Sequence, residues 1–120
     1  HGGVRVMALF EKAKEAFEKI FEKAKASLPE LSSWNKVYQF VVEDTGEEFY
    51  VEISNGQIKV VQGKHPKPIA TIVASSDVLE KIISGQLDAM AAFMKRQMKI
   101  TGNVLDTMNL KKLLDAGLKG

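Results

Sequence analysis

The sequence predicts an α+β domain, a single sheet covered by helices, and changes of hydrophobic period carry that prediction. From Leu9 to Leu28 apolar residues recur every three or four positions, the spacing of one helix face. Around Phe49, Val51 and Ile53 the spacing falls to two, as in a half-buried strand, and turn residues bracket the run. Helical spacing returns in short pieces beyond Ala74. At 120 residues the chain has the size of one domain. Residues 6–120 are assigned to it, and residues 1–5 are expected to be a disordered or expression-derived end.

The first helix presents Leu9, Phe10, Ala13, Ala16, Phe17, Ile20, Phe21, Ala24 and Leu28 on one face. Glu11 with Lys14 and Glu15 with Lys19 sit at supporting spacings opposite. Pro29 ends it, because the residue before a proline avoids helical geometry. Strands in meander follow at about Asn35–Val42, Glu48–Ser54 and Gln57–Val61. They are joined through Asp44-Thr45-Gly46 and through Asn55-Gly56, a favoured hairpin turn because both positions tolerate positive φ. The stretch Gly63-Lys64-His65-Pro66-Lys67-Pro68 cannot extend a ladder and reads as a crossing loop. Ile69–Ala74 is a fourth strand.

Asp77 with Glu80 makes a capping-box-like start to a helix that runs through Ile83 and stops at Gly85. Asp88 caps another from Ala89 to about Lys95. Gln97–Thr101 alternates as a short fifth strand with Met98 and Ile100 inward. In the last segment Val104, Leu105 and Met108 share one phase and Leu110, Leu113, Leu114 and Leu118 another, which predicts a kink or break near Asn109.

Seventeen Lys and Arg against fifteen Asp and Glu leave a formal charge of +2, too little for a nucleic-acid partner. Through Gly56 there are seven basic and ten acidic residues, and from Gln57 onward ten and five, so the C-terminal half is the one able to meet an anionic head group. With no cysteine, disulfides and thiolate chemistry are excluded, and a cytoplasmic location is the default expectation. No stretch approaches the ~20 apolar residues of a membrane span. His65 stands without a nucleophile near it in sequence, and Asp77 and Asp88 read as caps, so no catalytic group, metal or cofactor is expected.

Several runs then stand out together: Asn55-Gly56-Gln57-Ile58-Lys59-Val60, Ile72 to Ser76, Ser84-Gly85-Gln86-Leu87-Asp88-Ala89-Met90, Ala92-Phe93-Met94 and Lys99-Ile100-Thr101-Gly102-Asn103. The series resembles the sterol carrier protein type 2 family over roughly Trp34 to Leu114, most specifically in the AFM-x-x-x-x-K-I-x-G run ending at Gly102. The resemblance implies a five-stranded mixed sheet of order 3-2-1-4-5 with helices on one face. It also implies an apolar tunnel between them for fatty acids, acyl-CoA or sterols. Noncatalytic lipid binding and transfer is the implied function. An accessory role, presenting lipids or quinone precursors to partner enzymes, is the alternative.

The chain departs from the family pattern at Ile69, where an acidic residue is common, and at Arg96 or Gln97, where a glycine is common. Leu118-Lys119-Gly120 also lacks the peroxisomal address of animal members, so that location is not implied.

Candidate tunnel residues follow from the resemblance. Met90, Met94, Met98 and Met108 cluster with Phe93, Ile100 and Leu105, and methionine adapts to guests of varied shape. Phe17, Ile20 and Phe21 of the first helix, and Leu113 and Leu114 of the last, are added as lining; ordinary core packing is the competing explanation for all of them. The final segment is a candidate lid. Lys95, Arg96 and Lys99 are candidates for contact with a lipid head group or, transiently, a membrane surface. Oligomeric state is left open.

Overall fold

The computed structural model describes residues 8–119, and the expectation for residues 1–5 lies outside them. Helix α1 spans Leu9–Ala24, and a 3₁₀ turn at Pro29–Ser33 leads to strands β1 Lys36–Val42, β2 Glu48–Ser54, β3 Gln57–Gln62 and β4 Ala70–Ala74. Helices α2 Ser76–Ile83 and α3 Ala89–Met94, strand β5 Met98–Gly102 and helix α4 Thr107–Lys119 complete the chain. The sheet order is β3-β2-β1-β4-β5, with β1 and β4 parallel and every other neighbour antiparallel.

Alternation in the strands sends one set of side chains beneath the helices. Tyr38, Phe40 and Val42 face the core from β1, Phe49, Val51 and Ile53 from β2, and Ala70, Ile72 and Ala74 from β4, all buried. The register aligns Phe40 with Phe49 on one side and Ile72 on the other. Phe40 and Phe49 stack at 5.1 Å, and α1 adds Phe17 against Phe40 at 5.7 Å and Phe10 against Phe49 at 6.1 Å. Such pairs contribute about 0.5–1.5 kcal/mol each beyond area burial.

On the outer face, the crossing loop covers Gln39. Its Nε2 donates to Phe49 O at 3.0 Å and Gly63 O at 2.9 Å, and its Oε1 accepts from His65 N at 2.8 Å. His65 is thereby structural: its Nδ1 accepts from Lys67 N and its ring meets the Tyr50 ring edge-on.

Four expectations need correction. Helix α1 stops at Ala24, because the Ala26 and Ser27 N–H groups turn to the i−3 carbonyls of Lys23 and Ala24 (3.3 and 3.0 Å) and Leu28 adopts φ −126°, as its proline neighbour requires. On its surface Lys14 pairs with Glu18 at 2.6 Å, while Glu11 reaches back to Ala8 N at 3.2 Å. The cap of α2 is Ser75, whose Oγ accepts from Val78 N at 3.3 Å; Asp77 lies inside the first turn and pairs with Lys81 at 3.2 Å. Finally, α4 runs unbroken through Asn109. The change of phase falls in the turn before it, where Asn103 Oδ1 accepts from Asp106 N at 3.0 Å.

Candidate functional site

Two short helices and a turn frame the cavity. Helices α2 and α3 end alike: Gln86 N bonds to Lys81 O at 2.8 Å with Gly85 at φ +83°, and Gln97 N bonds to Ala92 O at 2.9 Å with Arg96 at φ +63°. This is the left-handed terminus that glycine favours. Position 96 is therefore where the family pattern's glycine belongs, and the arginine holds a strained backbone there. At the end of β5, Gly102 is needed on two counts, φ +90° and a would-be Cβ only 2.9 Å from Ile69 O.

Between the inner sheet face and α2, α3 and α4 lies a partly open apolar cavity of about 90 Å³. Phe40 and Ile72 form its floor, Leu79, Ile82 and Ile83 one wall, and Met90, Phe93, Met108 and Leu114 the others. The large apolar residues exposed among those described are Phe93, Met94, Val104, Leu105 and Met108. All fall between residues 93 and 108: Phe93, Val104 and Met108 belong to the cavity lining, and Met94 and Leu105 are their chain neighbours. Contiguous exposed apolar surface of this kind is uncommon without a partner. A larger groove between α1, α2 and α4 is open and lined by charged groups such as Glu15, Lys19 and Glu80, so it offers little desolvation to an apolar guest.

A polar strut fixes the cavity's outer wall. Asp106, in the turn carrying Val104 and Thr107, receives Tyr38 Oη at 2.5 Å, Lys36 Nζ at 2.7 Å and Asn109 Nδ2 at 3.4 Å. Burial works against the ionised carboxyl, but the hydrogen bonds from Lys36 and Tyr38 and the lysine charge outweigh it and hold Asp106 below the ordinary carboxylate range. For Tyr38, burial and the bonded carboxylate push the phenol well above its usual value.

The structure sorts the candidate residues. Phe17, Met90, Phe93, Met98, Ile100, Met108 and Leu114 line the cavity. Phe21 and Leu113 are buried in the core away from it, and Ile20 lies under the outer groove. Met94 and Leu105 are 74% and 82% exposed, on the surface beside the cavity and not within it. Lys95 and Arg96 follow Met94 and are exposed. Lys99 pairs in register with Val73 and so projects from the outer face, opposite Met98 and Ile100, where no ligand in the cavity can reach it. Sequence reasoning missed Phe40, Ile72, Leu79 and Ile82. The signal was present: each lies on the inward phase of its own strand or helix.

A mixed sheet of order 3-2-1-4-5 with four helices is the fold of the sterol carrier protein 2 structures that this chain resembles. The chain belongs to the SCP-2 sterol transfer family, whose model matches residues 17–115. No curated protein sequence matches significantly. Among solved structures, the UbiJ-SCP2 ubiquinone synthesis protein is similar at 18% identity and TM-score 0.74, covering 91% of this chain and 95% of that one. The sterol carrier protein domain 2 of Helicoverpa armigera matches at 25% identity and TM-score 0.72, covering 93% and 90%. Sterol carrier protein 2 of Aedes aegypti, solved with palmitate, matches at 21% identity and TM-score 0.68, covering 92% and 98%. The chain also matches part of the sec-alkyl sulfatase PisA1 (21% identity, TM-score 0.60, 66% of this chain) but spans only 13% of that enzyme's length.

Proposed function

We propose that this chain binds and transfers lipid without catalysis, enclosing an acyl chain, sterol or similar apolar body between sheet and helices. What carries the reading is one coincidence: an apolar cavity and the exposed apolar residues of segment 93–108 adjoin. Burying roughly 300 Å² of ligand at about 25 cal/mol per Å² supplies on the order of 7 kcal/mol before entropy costs. At about 90 Å³ the cavity is well below the ~300–1,000 Å³ of ordinary ligand sites, so a guest must widen it. Met90, Met98 and Met108 are the wall residues best able to give way, being unbranched. Lys95 and Arg96 add a cationic edge for transient contact with an anionic membrane, at about 1 kcal/mol per near-surface cation. Cytoplasmic exchange between membranes fits this picture.

The test is titration with a fluorescent fatty acid, competed by unlabelled fatty acid, acyl-CoA and sterol, alongside thermal melting. Saturable, displaceable binding and a Tm raised by several degrees are expected. No binding and no shift across that panel ends the reading. The likeness to a ubiquinone synthesis protein favours a second reading, an accessory domain that presents lipids or quinone precursors to partner enzymes. Lipid-dependent capture of such an enzyme in a pull-down separates the two.

A further inference from the structure

The cavity's chemistry narrows the ligand's head group, an inference that rests on the lipid-carrying reading above. Among the described residues lining it, only Thr107 and Lys111 have polar side chains, and the Thr107 hydroxyl already donates to Val104 O. Lys111 contributes its aliphatic stem to the wall while its ammonium is held outside by Asp115 Oδ2 at 2.6 Å and Asp88 Oδ1 at 3.1 Å. Asp88 is fixed in this role because its other oxygen caps α3, accepting from Ala91 N at 3.0 Å. One positive and two negative charges leave this corner net negative. The hydrogen bonds that Lys111 donates to Asp115 and Asp88 also keep its ammonium charged, so it does not become a neutral donor. A carboxylate drawn inside would lose its water and find no free cation on the lining, because Lys111 is already paired outside with two carboxylates.

We propose that the cavity discriminates against anionic lipid heads and favours lipids with an uncharged head, such as an ester or alcohol, because its one lining cation is already over-neutralised by Asp88 and Asp115. A fatty-acid anion must keep its carboxylate in water at the mouth, leaving the adjoining methylenes outside. A neutral ester enters whole.

The experiment compares methyl palmitate with palmitate, at about pH 8 where the acid is ionised, as competitors for an uncharged pyrene-labelled alkane. Methyl palmitate should bind about tenfold tighter, the effect of roughly two more buried methylenes. In the double variant Asp88→Asn, Asp115→Asn the cap survives, since asparagine caps as well as aspartate, and Lys111 is freed. The ratio between the two competitors should then narrow through stronger palmitate binding. Equal or tighter palmitate binding to the unaltered protein overturns this inference while leaving lipid carriage intact, and an unchanged ratio in the variant overturns it likewise. If neither competitor displaces the probe and the probe itself does not bind, the lipid reading falls with it.

Discussion

The two halves of the sheet are finished differently. Under α1, most inward side chains of β1 and β2 are closed off: Tyr38, Phe49, Val51 and Ile53 are at most 1% exposed, and Phe21 is buried with them, while Phe40 and Phe17 at the border also line the cavity. Over β4 and β5 the covering helices leave a cavity, and Phe93, Met94, Val104, Leu105 and Met108 stay in contact with water. Helix length accounts for much of this. The 16 residues of α1 make a rod of about 24 Å and the six of α3 one of about 9 Å. Alanines at 89, 91 and 92 also give α3 little side-chain volume.

The largest contrast is expected from truncating each half in turn. Phe49→Ala should cost about 3–5 kcal/mol, read by denaturant unfolding. Leu105→Ser should change stability by no more than about 0.5 kcal/mol while slowing lipid uptake from vesicles severalfold. Comparable stability losses in both would erase the distinction.

The strut that joins the halves comes next. Because Asp106 has its folded-state pKa lowered, its contribution is complete above the ordinary aspartate value near ~3.9 and lost as pH falls through the folded value. Asp106→Asn should cost about 2 kcal/mol near neutral pH, and urea melts across the acid range should show a flatter profile than the parent. At the alkaline end Tyr38 resists ionisation only in the folded protein, so stability should drop as pH climbs past about 10, and Tyr38→Phe should blunt that drop.

The smallest effect is a gain. Arg96→Gly should relieve the left-handed backbone and stabilise by about 0.5–1 kcal/mol, seen as a raised Tm. Gly85→Ala, at the matching position of α2, should do the reverse.

Strand positions were legible in both halves, β4 and β5 as closely as β1 to β3. Period-two runs and the Asn55-Gly56 turn located β1 to β3 within a residue, because each signal is local. Some misreadings were local, such as the end of α1 and the cap of α2, and others depended on contacts between distant segments. Tyr38 and Lys36 meet Asp106 about 70 positions away, and no spacing rule encodes that strut. The same turn at 103–106 absorbs the change of phase that pointed to a break at Asn109. Met94 and Leu105 share composition with the cavity lining yet point to solvent, since the face a six-residue helix or a turn presents is set by how it docks. Phe40 and Ile72 were recognisable as core, but only the docking of the helices shows that part of that core is floor to a void.

Gly117 has a mechanical consequence. A methyl group there would collide with the backbone and side chain of Ile20, so α4 rests directly on α1 with nothing between the two rods. That end of α4 has no room for a side chain against α1. Toward the opposite end, Asp106 receives Lys36 and Tyr38 in the turn before α4, Lys111 pairs with Asp88, and Leu110 and Leu113 are buried. The close contact at Gly117 thus ties the C-terminal end of α4 to α1, while Met108 near its other end borders the cavity.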